Sequence, residues 1–289
     1  MLRIYAFFLL LCAMPGLSWA QPPSSLAMGF IPSRSISEIQ VSADRIADYL
    51  ANEVGIPVET VTVSNYAGVA LAMQSKRIDL AFVGPMNYLK INDMMGAYPI
   101  TSSVRSDQQG YRGLVITRSD SEIKSLNDLR GKTMGFADAL STSGSLYPKQ
   151  ALRKVGVDPD SEMRSVMLSS HSSIAMSVLR GKVDAGAIYQ DARTNPEILS
   201  AVPDVLERTR VIYTTDLIPA DPQIVRKDLP KDIVNSLREA LIKMSADPEA
   251  QKWLKDLYGI DSIAIASDED YNKLREVIIQ ADPDFLKRR

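Results

Sequence analysis

Ser141, Thr142 and Ser143, followed by Gly144, set three hydroxyls side by side, and His171, the only histidine of the chain, follows thirty residues after Ser141. Hydroxyl hydrogens rotate, so such a row can adapt its donors to a tetrahedral oxyanion. The four residues stand between an apolar run, Thr133 to Ala137, and an amphipathic segment, Ser145 to Val155. That is where a strand hands over to a helix. The first N–H groups of a helix have no partner within it and carry partial positive charge, which suits an anion. Ser and Thr also favour N-cap positions on local grounds. A plain cap is therefore the competing reading, and the rest of the chain has to decide between the two.

The elements that must position these groups begin behind a leader. A basic start at Arg3, an apolar stretch from Ile4 to Leu17 and the small residues of Ser18-Trp19-Ala20 predict a secretory signal cut after Ala20. The stretch is short for a membrane anchor and contains Pro15-Gly16. Cys12, the single cysteine, lies inside it behind Leu11, where a lipoprotein site would need a small residue, and reads as apolar filler. The exported chain is then free of cysteine, and its fold must rest on its own core. Arg3 leaves with the signal, so of 33 basic residues 32 face 35 acidic ones, a net charge of −3. Weak acidity gives no reason to expect nucleic acid or anionic lipid as partner. One histidine and no cysteine leave little for a zinc site.

After the leader, Leu26 to Ile31 reads as a strand, and a helix from Ser35, with Glu38 as the second half of a capping box, runs to Gly55. Val58–Val63 and Ile78–Val83 read as strands around a helix from Tyr66 to Ser75, the second closed by Gly84-Pro85. This alternation is that of an open α/β sheet with parallel neighbours. Tyr111–Thr117 is a further strand, Ser125 to Asp128 cap a short helix that stops at Gly131, and a second series follows. It comprises strands 133–137, 164–168 and 183–188 and helices 144–155 and 171–180. Val211–Tyr213 and Gln223–Val225 are extended, and the tail is helical from Lys231. Two lobes joined by two crossings, near 105–112 and 208–216, divide the chain into signal 1–20, first lobe 24–107, second lobe 108–212 and a return to the first lobe over 213–289.

In open α/β sheets ligands sit beyond the carboxyl ends of the strands. Those ends carry Ser64-Asn65-Tyr66-Ala67-Gly68, Gly84-Pro85-Met86-Asn87-Tyr88, Ser141 to Gly144, Ser169-Ser170-His171, Tyr189-Gln190-Asp191 and Pro219-Ala220-Asp221-Pro222. Lys and Arg are missing from them. An oxyanion held there would rely on hydrogen bonds and helix dipoles, with a protonated His171 as the only positive charge. Two carboxylates would suit an ammonium on the same ligand. Tyr66 and Tyr111 serve equally well as packing aromatics with a wetted hydroxyl. Asp191 could simply cap a helix and Asp221 a turn. Asp184 reads as structural, Asn87 and Tyr88 as packing or turn residues, and Met94-Met95 as buried filler.

Asn65-Tyr66-Ala67-Gly68, Gly110-Tyr111, Ser141-Thr142-Ser143-Gly144, Ser170-His171, Val183-Asp184 with Asp191, and Leu217-Ile218-Pro219-Ala220-Asp221-Pro222 together resemble the phosphonate-binding proteins of bacterial phosphonate ABC importers. The resemblance covers nearly all of the exported chain. It implies an α/β, two-lobed type II periplasmic binding protein fold that closes over a ligand in the interlobe cleft. It implies that Ser141, Thr142, Ser143 and His171 hold the phosphonate oxygens, with Tyr66 beside them. Tyr111 would line the cleft, and Asp191 and Asp221 would hold the amino end of 2-aminoethylphosphonate. The family has a glutamate where Asp191 stands, so the amino end departs from the pattern. Partners implied are a small phosphonate and an inner-membrane permease, with a periplasmic monomer, no cofactor, no metal and no nucleic acid.

Phosphite, phosphate or another oxyanion fits the same donors. A Ser/His hydrolase is the rival from another class, although no Gly-x-Ser-x-Gly elbow is present. A ferric-ion binder would use Tyr, His and Asp but leaves the serines without a task. A sensory binding lobe would share the same closure.

Overall fold

The computed structural model describes residues 23–190 and 192–287. The signal segment, with Cys12, and Asp191 therefore lie outside the described residues. The strands in chain order are β1 (Leu26–Phe30), β2 (Val58–Val61), β3 (Leu80–Phe82), β4 (Tyr98–Val104), β5 (Gly110–Tyr111), β6 (Gly113–Arg118) and β7 (Thr133–Phe136). They continue with β8 (Arg164–Met167), β9 (Ala185–Tyr189), β10 (Thr209–Thr214), β11 (Ile218–Pro219), β12 (Pro222–Val225) and β13 (Ser262–Ile265). The α-helices are α1 (Ile36–Val54), α2 (Tyr66–Gln74), α3 (Pro85–Met95), α4 (Tyr147–Lys154) and α5 (His171–Leu179). The later ones are α6 (Pro196–Ala201), α7 (Val205–Arg208), α8 (Lys231–Lys243), α9 (Pro248–Tyr258) and α10 (Asn272–Ala281).

Six strands form one sheet in the order β13-β4-β12-β3-β1-β2, and five form a second in the order β10-β6-β9-β7-β8. In the first, β1 pairs parallel with β2 and β3, and β12 runs antiparallel to β3. In the second, β7 lies parallel to β8 and β9, and β6 antiparallel to β9. Each sheet is covered on both faces, which is why β1 and β3 read as unbroken apolar runs. Leu26, Met28, Leu80 and Phe82 pack against α1, α8 and α9 in the first lobe, while Tyr66, Val69, Val83 and Leu89 fill its other face. Ile116, Ile174 and Ile188 on one side, and Val115, Phe136 and Leu152 on the other, form the core of the second. The chain passes between sheets after Val104 and after Thr214, and the short antiparallel pair of β5 with β11 lies in those two passages. Residues 209–214 form a full strand on β6, so the return passage runs from Thr215 to Asp221, later than 208–216.

Helix α1 ends at Gly55, whose φ of 73° is the left-handed cap that glycine adopts without a Cβ penalty. Its start differs from expectation: Ser35 occupies the N-cap but its side chain makes no capping bond. The boxes at Ser125/Asp128 and Ser267/Asp270 do close. Asp184 is structural as expected, accepting the Thr133 N–H at 2.8 Å. Several elements depart from the sequence reading, among them α3, β4 and β13, a strand inside the tail that reads as helical. The segment after Gly84-Pro85 is the helix α3, with Asn87 and Tyr88 fully buried. Met94 and Met95 are half-buried against the core. Strand β4 was hidden by its polar Thr101, Ser102 and Ser103, all buried. Burial is tolerated because Gln223 of β12 accepts from Thr101 at 2.8 Å and donates to Ser103 at 3.0 Å.

Candidate functional site

The hydroxyl row sits in a tight turn between β7 and α4. Thr142–Leu146 is a single π-helical turn, with Leu146 N–H donating to Ser141 O at 3.1 Å. Such turns widen a helix start and recur at functional positions. Ser141 Oγ accepts the Gly144 N–H at 3.1 Å, and Ser145 Oγ donates to Ala137 O and Asp138 O. Glycine is required at 144: a Cβ there would stand 2.4 Å from Ala137 Cβ and 2.9 Å from His171 Cε1. The turn is thereby pressed against the imidazole. Ser141, Thr142 and Ser143 are all buried, and all three line one cavity between the lobes. Capping and anion binding are not alternatives here, because the Ser141 cap uses a lone pair and leaves the hydroxyl hydrogen free.

His171 opens α5 behind Ser170, whose Oγ accepts the Ser173 N–H. Ser169, just before the cap, holds φ at 62°, an uncommon conformation for a residue other than glycine. The imidazole is buried, and Nδ1 accepts the Tyr189 backbone N–H at 3.1 Å. Its proton therefore resides on Nε2, 3.5 Å from Ser141 Oγ. Burial pushes the imidazole down to about 3, so it is neutral at physiological pH. The expectation of a protonated His171 as the site's positive charge is thus overturned. The ring is a neutral N–H donor, stacked edge-on against Tyr189 at 4.7 Å.

The opposite wall comes from the first lobe. Tyr66 opens α2 behind Asn65, which caps Gly68 N–H at 2.8 Å, and its own N–H donates to Asp138 Oδ2 at 3.2 Å across the cleft. Its phenol reaches Ser141, and burial raises its pKa, so it stays a donor. Met86 N–H, at the start of α3, donates to Thr142 Oγ1 at 3.0 Å. His171 N–H donates to Ser33 O at 3.2 Å. These contacts tie the lobes together around a cavity of about 440 Å³. The starts of α2, α3 and α5 and the 142–146 turn all border it, each a source of partial positive charge.

Tyr111 and Asp221 stand beside Ser143. The half-buried Tyr111, its phenol pKa raised chiefly by desolvation, interacts with the Ser143 hydroxyl and the Asp221 carboxyl. Burial also raises Asp221, against the opposing pull of Arg105, whose Nη2 lies 2.9 Å from Oδ2. The Arg105 guanidinium stands 5.8 Å from the Tyr111 ring centre. The cleft does contain cations: Arg34 and Arg105 both line it. The reading that Lys and Arg are absent holds at the strand ends picked out in the sequence and fails past β1 and β4, which bring Arg34 and Arg105 into the cavity. Arg34 lies four residues past β1, and Arg105 just past β4, a strand not recognised in the sequence. Arg105 opposite an acid 116 residues away had no local signal. Of the eight residues singled out, the cavity brings together Ser141, Thr142, Ser143, His171, Tyr66, Tyr111 and Asp221; Asp191 lies outside the described residues.

The arrangement differs from a Ser-His-Asp triad, in which Nδ1–H donates to a carboxylate. Here Nδ1 is an acceptor, held by a main-chain N–H. Among the described residues no three His, Cys, Asp or Glu side chains converge as metal ligands, and no helix is long and apolar enough to cross a membrane.

Residues 28–271 match the family model described as ABC transporter, phosphonate, periplasmic substrate-binding protein. A phosphate-import protein of Mycolicibacterium smegmatis is 27% identical over 228 residues, covering 75% of this chain and 70% of the relative. The phosphonates-binding periplasmic protein of Escherichia coli is 24% identical over 238 residues, covering 81% and 70%. The crystal structure of a binding protein component of an ABC phosphonate transporter from Pseudomonas aeruginosa superposes with a TM-score of 0.81 at 26% identity, over 90% of this chain and 86% of that one. A Prochlorococcus marinus protein in complex with methylphosphonate has a TM-score of 0.80 at 18% identity, over 90% and 98%, and shares the fold. The fold is the two-lobed type II periplasmic binding protein fold, as expected.

Proposed function

This chain belongs to the periplasmic substrate-binding proteins of phosphonate ABC transporters, and we propose that it captures an organophosphonate in the interlobe cleft for delivery to its permease. In this reading the ligand is a small molecule, the permease lies in the membrane, and the protein carries its substrate without breaking a bond. The division into lobes, a cleaved signal before Gln21, export to the periplasm and a monomeric state belong to the same reading.

One observation carries the proposal. Neutral donors from both lobes, the hydroxyls of Ser141, Thr142, Ser143 and Tyr66 and the Nε2–H of His171, border one cavity flanked by helix starts. A phosphonate head accepts from all of them, and closure would surround it with bonds that the open form cannot complete. Binding then drives closure, because only the closed form makes these contacts.

The substituent would extend toward Tyr111 and Asp221. Arg105 occupies Oδ2 of that carboxylate, and Oδ1 is the oxygen an ammonium would meet. This supports 2-aminoethylphosphonate or a close relative. The same ion pair supports a second reading: with Asp221 already matched, phosphite, phosphate or a simple alkylphosphonate meets no unpaired carboxylate. A thermal-shift screen of the mature chain against 2-aminoethylphosphonate, methylphosphonate, phosphite, phosphate and taurine tests both. A ligand that binds only the folded state raises the midpoint with concentration. Stabilisation by phosphonates supports the proposal; stabilisation by taurine alone overturns it.

A further inference from the structure

Among the described residues that border the cavity, Arg34 is the cation without a carboxylate partner. Arg105 is matched by Asp221, Lys255 by Asp261, and His171 is neutral. Arg34 is 7% exposed and is held by oxygens that carry no formal charge. Its Nη1 donates to Asp256 O at 2.6 Å and Leu257 O at 3.3 Å, in the last turn of α9. Its Nη2 donates to Asn195 Oδ1 at 2.6 Å, and Nε has no partner. Among the described residues no carboxylate lies within ion-pair distance of it. The Asp256 carboxylate borders the cavity too, but it is exposed to solvent and makes no ion pair with Arg34. A buried guanidinium without a counter-charge is costly to desolvate.

Asn195 belongs to the other lobe, at the N-cap of α6. The same Oδ1 accepts the Tyr189 hydroxyl at 2.9 Å, and Asn195 Nδ2 faces Ser172 Oγ at 3.3 Å. Tyr189 in turn fixes the His171 tautomer through its N–H. Arg34 is thus tied across the cleft, through Asn195 and Tyr189, to the imidazole that borders the cavity. The Arg34 charge also acts on the Tyr258 phenol, which lies within the fields of Tyr66 and Asp221.

We propose that Arg34 is a specificity-determining residue that acts by charge: the guanidinium clamped onto Asn195 is the counter-ion of a doubly negative ligand, and it is buried only when the lobes are closed. Without an anion, closure strands this charge in a poor solvent, and with a dianion the two charges compensate each other. The inference rests on the phosphonate reading, and adds why a dianion is preferred over a monoanion.

The test compares methylphosphonate with its monomethyl ester, a fixed monoanion, by calorimetry at alkaline pH on wild type, Arg34→Met, Arg34→Lys and Asn195→Ala. Wild type should prefer the dianion. Arg34→Met should weaken the dianion at least about tenfold more than the ester, as expected for one buried charge, and Arg34→Lys should recover part of the preference. Asn195→Ala, which removes the clamp and keeps the cation, should weaken both ligands and show a larger radius of gyration in solution scattering with ligand present. If Arg34→Met proves unfolded by circular dichroism, Arg34→Lys and Asn195→Ala decide by the same two readouts. An unchanged dianion preference in folded Arg34→Met, or loss of that preference equally in Arg34→Lys, overturns the inference. Failure of wild type to bind methylphosphonate at all instead overturns the functional reading beneath it.

Discussion

The backbone N–H of Tyr189 donates to Nδ1 of His171 at 3.1 Å, and this contact decides how the site's imidazole can serve an anion. With Nδ1 committed as an acceptor, the ring offers one N–H to the cavity and carries no charge. His171 is the only histidine, so its imidazole nitrogens give an unambiguous nitrogen NMR signature. The expected spectrum is that of the Nε2–H tautomer, unchanged between neutral pH and about pH 5. A titration near the ordinary histidine value would contradict the buried neutral ring.

The same burial makes a stability prediction. The folded-state value, about 3, lies below the ordinary 6.5. The unfolded chain therefore takes up the proton first as pH falls. The His171 contribution is fully present above about 6.5 and is lost progressively toward 3, on the order of 5 kcal/mol across the window. His171→Gln should flatten the dependence of the unfolding free energy on pH in that range relative to wild type. Parallel curves would show that the ring is accessible to protons in the native state.

Thr142→Val keeps shape and removes one oxygen. It leaves the Met86 N–H without its acceptor across the cleft. An unpaired buried donor costs about 1–3 kcal/mol. Because the contact spans the lobes, the cost should fall on closure and ligand affinity, a loss of about tenfold to a hundredfold. Calorimetry and urea unfolding separate the two; a large stability loss with unchanged affinity would place the contact outside the closing motion.

Gly144→Ala forces a methyl against Ala137 and His171. Overpacking of this kind costs about 1–3 kcal/mol. Since the displaced groups are the turn and the imidazole, phosphonate affinity should drop together with the unfolding midpoint. Retention of full affinity would mean that the turn can shift without disturbing the donors.

Asp221→Asn tests the substituent end. If an ammonium uses Oδ1, wild type should prefer 2-aminoethylphosphonate over ethylphosphonate, and the variant should lose that preference. Equal binding of the two by wild type would favour the simple oxyanion reading, in which Arg105 alone satisfies Asp221.

Much of the cavity wall was legible because it follows one rule. Tyr66, Ser141 and His171 stand where strands end and helices begin, and local residue choice marks such places with Asn65, Ser141 and Ser170 as caps. What stayed hidden depends on pairing over long separations. Strand β4 looks like a loop because its polar side chains are satisfied by Gln223, more than a hundred residues away. Arg105 follows that unrecognised strand, and Arg34 meets α9 and Asn195 only in the folded chain. The charge of His171 was misread for a related reason: proton affinity is set by burial, which no single segment reveals.

A crystal structure of the mature protein grown with methylphosphonate tests the central claim most directly. The account predicts the phosphorus in the cleft, its oxygens within about 3 Å of hydroxyls from Ser141 to Ser143, of the Tyr66 phenol and of His171 Nε2. A phosphonate bound elsewhere on the chain, with the serine turn and imidazole untouched, would contradict it.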